Sequence, residues 1–293
     1  MPKENNTAEK QALTRKGAGI TAVSNPRGVR RVLVARFSAL GDVAMTVPVL
    51  YSACLCYPDV EFTLLTRKSM GSLFLNPLPN LRVMAIDTAE YEGLGGIRRL
   101  YKKLRKELRF DAFIDLHDVL RTKVFAAFCR MGGIPVSVIC KGRKGKRALT
   151  RRHNKVLLPL ISSRARYRQA FHQMGLPVDN RFNGFFAEAP GRKGDPAAFD
   201  AVHAPKQPGE KWVGIAPFAK HEGKIYPPEM MEQVVRMLSE RGDVTLFLFG
   251  GGEHEREILS GWAAKYPRVI SLADRRLGFP VELALASWLD VML

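Results

Sequence analysis

A glycine and an aspartate stand between an apolar run of strand character and an apolar run of helical character in "RFSALGDVAMTVPVL", residues 36–50. Two uses are open to the carboxylate of Asp42. As a helix cap it accepts a backbone N–H and stabilises the fold by about 1 kcal/mol. Left free at the carboxyl end of a strand, where α/β folds bind ligands, it can take a proton from a substrate hydroxyl. Gly41 alone does not make the G-x-G-x-x-G turn that admits a pyrophosphate, which argues against a dinucleotide-binding dehydrogenase.

A second candidate is "GIAPFAKHEGKIYPPEMM", residues 214–231, where Lys220, His221, Glu222 and Lys224 follow an apolar run. Pro227 and Pro228 then open a helix whose unpaired N–H groups face the loop, so a lysine there suits a phosphate as well as it suits solvent. The third is "LFLFGGGEHEREIL", with Gly250, Gly251 and Gly252 ahead of Glu253, Glu255 and Glu257. Consecutive glycines allow close backbone approach, and a carboxylate in the first helical turn can hold ribose hydroxyls or serve the helix dipole. "HEREI" lacks the second histidine of a zinc protease helix. In "DLHDVLRTK", residues 115–123, two carboxylates and a histidine end a strand, but no further ligand follows at metal-binding spacing, so polar groups facing a ligand are expected. "GRKGKRALT" lacks the spacing of a phosphate loop.

These residues need a scaffold, and the hydrophobic pattern supplies one. From Val29 onward short β-branched runs alternate with longer amphipathic ones, the mark of parallel sheets with crossover helices. "VRRVLVARF", "VEFTLLTR", "LRVMAID" and "FDAFIDLH" read as strands, with one helix over residues 43–58 and another over 97–109. After a Pro-, Gly- and charge-rich stretch the alternation restarts at "WVGIAPF" and runs through "VTLFLFG" and "VISLAD" to "DVML", which reads as the opening of a strand cut short. The expected organisation is a basic mobile tail over 1–28, an α/β domain over 29–187, a linker over 188–210, and a second, incomplete α/β domain over 211–293. Two such units suggest a ligand cleft facing the carboxyl ends of both sheets.

The chain has 293 residues, 46% hydrophobic and 25% charged, ordinary for a globular protein and enough for two cores. Its formal net charge of +18 selects anionic partners: nucleic acid, acidic lipid or phosphorylated substrate. Cys54, Cys56, Cys129 and Cys140 form neither a C-x-x-C pair nor a disulfide spacing, so free buried thiols in a reducing cytoplasm are expected. No apolar run suits a secretory signal or a bilayer span, leaving membrane contact peripheral. "IRRLYKKLRKELRF" sets Ile97, Leu100, Tyr101, Leu104 and Leu108 on one face and cations around the other, while "KGRKGKRALTRRHNK", residues 141–155, has no acid at all. Both suit anionic head groups; neither interleaves the aromatics of a single-strand nucleic-acid groove.

In order along the chain, "RFSALGDVAMTVPVL", "FDAFIDLHDVLRTK", "GIAPFAKHEGKIYPPEMM" and "LFGGGEHERE" resemble the family-nine glycosyltransferases, the ADP-heptose:lipopolysaccharide heptosyltransferases. The resemblance implies a GT-B fold of two Rossmann-like domains facing a cleft, the first holding the acceptor and the second the sugar nucleotide. It further implies inverting transfer of heptose from ADP-heptose, or a related nucleotide sugar, to Kdo-lipid A, with no metal and no cofactor. By motif position Asp42 resembles the general base and Lys224 the residue on the donor phosphates. Glu255 resembles the carboxylate on the ribose, and Lys220, Gly250 and Gly251 are its expected companions at the donor. Gly41, Arg67, Lys68, Arg121 and Lys123 are the expected acceptor contacts. The chain would work in the cytoplasm, peripheral on an anionic inner-membrane surface, without nucleic acid. Departures from the family pattern are Tyr226, where tryptophan is commoner, and the missing D-[ST]-G-x-x-H-like segment beyond "ELALASWLDVML". A non-catalytic binding protein of the same fold and a basic nucleic-acid-binding module are the other two readings.

Overall fold

The computed structural model describes residues 25, 27–219 and 221–293; most of the expected basic tail (1–24 and 26) and Lys220 lie outside the described residues. The chain divides into two compact units, one up to Asn183 and one from Gly184 to Leu293.

In the first unit five strands form a wholly parallel sheet: β1 (Arg31–Ala35), β2 (Glu61–Arg67), β3 (Leu81–Ile86), β4 (Ala112–Asp115) and β5 (Val136–Val138), in the order β3-β2-β1-β4-β5. A parallel sheet requires crossovers that cover its faces, which is why β1, β2 and β4 are buried almost throughout rather than on alternate residues. The crossovers are helical: α1 (Leu40–Ala44) and α2 (Val47–Cys56) after β1, α3 (Gly93–Leu108) after β3 and α4 (Leu120–Met131) after β4. Beyond β5 come α5 (Arg143–Thr150) and α6 (Ser163–Gln173). Helix α3 buries Ile97, Leu100 and Leu104 against Leu33, Phe113 and Phe125, with Tyr101 and Leu108 half-buried beside them, so the expected apolar face is the one that packs.

The single helix expected over residues 43–58 is instead two. Thr46 donates its hydroxyl to the Val43 carbonyl at 2.6 Å, and Pro48, which has no N–H and crowds the carbonyl four residues back, forces a new start at Val47. This break makes α1 a single short turn carrying Asp42. Strand β5 has only three residues, too few to show a period, and was not expected.

The second unit repeats the plan with β6 (Lys211–Ile215), α7 (Pro228–Ser239), β7 (Val244–Leu248), α8 (Glu253–Lys265), β8 (Val269–Ser271), α9 (Phe279–Ala286) and β9 (Val291–Met292). Its sheet is parallel in the order β8-β7-β6-β9. "DVML" is therefore a strand paired with β6, and Asp290 just before it accepts the Trp212 N–H at 2.7 Å. The stretch 188–210, expected as a linker, sends Phe199 and Val202 into the core beside Trp212, Phe247 and Leu285, and so packs as part of this unit. Cys54, Cys56 and Cys129 are buried thiols; Cys140, also expected buried, is exposed at the end of β5.

Candidate functional site

The parallel ladder of the first unit extends one residue past β1: Arg36 donates its N–H to the Leu65 carbonyl, and Leu116 donates to that of Ala35. Sheet pairing therefore brings residue 36 beside residues 116 and 117 at the carboxyl edge, 80 positions apart in sequence. Arg36 is buried, and its guanidinium donates to the Leu116 carbonyl at 2.7 Å and to the carboxylate of Asp42. Its charged face also lies against the Tyr167 ring, and the Tyr167 hydroxyl donates to the Asp42 carbonyl at 3.1 Å. Asp42 sits in the first turn of α1 without capping it, its carboxylate about half exposed. Held by one bond from a buried arginine and open on the other side, it is positioned to meet a ligand.

The turn after β4 supplies the opposite wall. Asp115, fully buried, accepts the N–H groups of His117 and Asp118 at 2.8 and 2.9 Å, closing a turn that needs Asp118 in the left-handed region at φ 50°. Burial pushes the Asp115 carboxyl above its ordinary range, against the pull of those N–H groups. The turn presents His117, whose Nε2 lies 3.4 Å from the Ser38 hydroxyl. Burial and then the charges of Arg36, Lys141 and Arg67 bring its pKa down to about 4, so the imidazole is neutral near pH 7.

Behind β5, Lys141 donates its ammonium to the Asp118 carbonyl at 2.8 Å, and burial lowers its pKa. Arg166 on α6, itself buried, donates to the Lys141 carbonyl at 2.7 Å. Position 142 between them favours glycine: its φ is 61°, and a Cβ there would lie 2.8 Å from the Arg166 guanidinium, which would have to shift. Together these groups enclose a cavity of about 390 Å³ lined by Arg36, Asp42, His117, Lys141, Lys146 and Tyr167 among others. Four cations and one carboxylate line it, a composition that attracts an anionic ligand and offers one basic oxygen to its hydroxyl.

The expected acceptor contacts scatter. Gly41 is exposed in α1 beside Asp42, and Arg67 and Lys68 are exposed at the carboxyl end of β2, on the same sheet edge. Arg121 reaches the Thr88 carbonyl at 2.8 Å, and Lys123 pairs with Asp118 at 3.4 Å; neither lines the cavity. Arg36, Lys141, Lys146, Arg166 and Tyr167 do, and sequence reasoning missed them as site residues. The acid-free run contained the two lysines, but nothing in it singled them out. Among the described residues no three His, Cys, Asp or Glu side chains gather as a metal would require, and Asp115 is committed to its own turn.

In the second unit Lys224 ends a 3₁₀ turn after β6, exposed, with its N–H bonded to the His221 carbonyl. Gly250 follows β7 closely packed: a Cβ would fall 2.6 Å from Leu259, so the loop must pass here without a side chain. Gly251 has open space around it, and its N–H donates to the Glu255 carboxylate at 2.8 Å, folding that side chain back over the loop. The 3₁₀ turn and the glycine loop both follow carboxyl ends of neighbouring strands, the edge at which α/β sheets bind nucleotides.

A family model described as glycosyltransferase family 9 (heptosyltransferase) matches residues 97–276. No curated protein matches the chain. Among solved structures, a family 9 glycosyl transferase from Veillonella parvula superposes with a TM-score of 0.64 at 15% identity, over 93% of this chain and 77% of that one. E. coli heptosyltransferase WaaC, solved with ADP-2-deoxy-2-fluoro heptose, gives 0.60 at 16% identity over 88% and 80%. E. coli ADP-heptose lps heptosyltransferase II gives 0.57 at 14% over 90% and 78%. At such identities the likeness is one of fold, and that fold is GT-B.

Proposed function

The chain belongs to glycosyltransferase family 9, and we propose that it transfers heptose from ADP-heptose, or a closely related nucleotide sugar, to a Kdo-lipid A type acceptor at an anionic membrane surface. The observation that carries this reading is Asp42: a carboxylate held by the buried Arg36 at the edge of a cavity otherwise lined by cations. The Kdo carboxylates and lipid A phosphates of such an acceptor are the anions that lining would attract. Structural relatives solved with ADP or an ADP-heptose analogue support an ADP-sugar donor.

The step is one in-line displacement. The acceptor hydroxyl oxygen bonds to the anomeric carbon, the bond from that carbon to the β-phosphate oxygen breaks, the proton passes to Asp42, and ADP departs. Configuration inverts because one displacement occurs. Lys141 and Lys146 hold the acceptor anion, with Arg67 and Lys68 further along the same edge, while Arg36 keeps the carboxylate aimed. On the donor side Lys224, with Lys220, meets the diphosphate, and such charge-assisted bonds offset the negative charge that develops on the leaving group without a metal ion. Gly250 and Gly251 let the nucleotide approach the backbone, and Glu255 uses the oxygen turned away from Gly251 for a ribose hydroxyl.

The test is ADP release from ADP-heptose with and without Kdo-lipid A, for the native chain and for Asp42→Ala and Lys224→Ala. Release that depends on acceptor and falls in both variants is expected. Release that ignores the acceptor, or that survives Asp42→Ala, overturns the assignment of the base.

A further inference from the structure

The segment after α5 departs from how a folded domain treats apolar side chains. Every residue from 151 to 164 is exposed, and among them are Val156, Leu157, Leu158, Leu160 and Ile161, with Leu157 76% and Leu158 68% accessible. Such a contiguous apolar run on a surface marks an interaction site. It is held in place by its own backbone: Val156 donates its N–H to the Ala148 carbonyl at 3.0 Å, and Leu160 lies over Gly145, where a Cβ would come within 3.0 Å of it. The strap thus folds back along α5, which buries no residue of its own.

The charge around it selects the partner. No Asp or Glu occurs between Asp118 and Asp179, and residues 141–155 alone carry eight Lys or Arg. We infer that α5 and the strap form a membrane anchor, in which Leu157, Leu158 and their apolar neighbours enter the acyl boundary of an anionic bilayer while Lys144, Arg151 and Arg152 sit among the head groups. A second copy of the chain would set this positive patch against itself, because a two-fold contact pairs like with like. Nucleic acid is disfavoured since residues 141–161 contain no Phe, Tyr or Trp on which bases stack. The anchor deepens the membrane association proposed above and rests on it. Lys141, Lys146 and Ser163 of the cavity lining border the same segment, so docking brings that wall of the cavity to head-group level, where a lipid-borne sugar is presented.

The experiment is co-sedimentation of the full chain, without donor or acceptor, with vesicles of phosphatidylcholine containing phosphatidylglycerol and with vesicles of phosphatidylcholine alone. The native chain should pellet with the anionic vesicles only. Leu157→Asp/Leu158→Asp should bind about tenfold more weakly and keep no binding at high salt, since the apolar contribution is the part that salt does not screen. Lys144→Gln/Arg152→Gln should lose about fivefold per charge at low salt. These positions are exposed, and circular dichroism checks that the variants fold. If Leu157→Asp/Leu158→Asp binds like the native chain, the anchor is overturned while membrane association stands; if the native chain binds neither vesicle, both fall, and ADP release in solution still reports on transfer. Self-association that the leucine substitutions abolish, or single-stranded DNA binding tighter than vesicle binding, would assign the segment to another partner and equally overturn the inference.

Discussion

The two units share one plan and prepare their polar groups in opposite ways. In the first, Arg36, Lys141 and Arg166 are each tied to the protein: Arg36 to Leu116, Asp42 and the Tyr167 ring, Lys141 to Asp118, Arg166 to Lys141. In the second, Lys224 is exposed on a short 3₁₀ turn, and Glu255 is fixed, among the described residues, to the neighbouring glycine loop. On the proposed roles of Asp42 and Lys224, the contrast is a division of labour. A base must be aimed before the substrate arrives, because misplacement weakens proton transfer, whereas groups that grip a flexible diphosphate can be ordered by the ligand itself.

The sharpest way to break this comparison is Asp42→Asn. The amide keeps the shape and can still accept from Arg36, so the fold should survive, while turnover at saturating substrates should fall by roughly two to four orders of magnitude. Equal loss after Asp42→Glu would show that placement counts as much as charge. Next is Arg36→Ala, which leaves the Leu116 carbonyl and the Asp42 carboxylate without their partner. Chemical denaturation should report a loss of about 2–4 kcal/mol, and turnover should fall with it. The same substitution at Lys224 should change stability by less than about 0.5 kcal/mol yet weaken ADP binding by about tenfold, which calorimetry would resolve. A large stability loss there would erase the distinction between the two units.

A smaller effect sharpens the account of the first unit. His117 has a folded pKa near 4, below the value near 6.5 of an open histidine. Between those values the unfolded chain binds the extra proton, so stability declines as pH falls from about 6.5 to 4. Partial exposure of the ring limits the effect to about 1–2 kcal/mol. Asp115, with its pKa raised by burial, acts in the opposite sense, adding stability towards low pH. Thermal unfolding across this range should therefore show a flatter acid decline for His117→Gln than for the native chain, and an unchanged slope would place the imidazole in solvent.

The amino-acid sequence by itself determined the alternation of strands and helices, because a strand buried on both faces must be apolar throughout and a crossover helix must be apolar on one stripe. It placed Asp42, Lys224 and Glu255 at strand-to-helix turns for the same reason. It also carried the basic, acid-free stretch, whose charge favours an anionic partner. Tertiary structure alone decided what surrounds Asp42. Arg36 stands within the run read as the first strand, and Arg166 and Tyr167 lie where no motif singles them out; only the β1–β4 pairing and the packing of α6 bring them to one cavity. The exposed apolar strap was equally hidden, since "VLLPLI" reads as core material in any local window. Periodicity reports which face a residue turns along its own segment, but contacts made 80 or 125 positions away depend on how segments pair, and no local pattern encodes that.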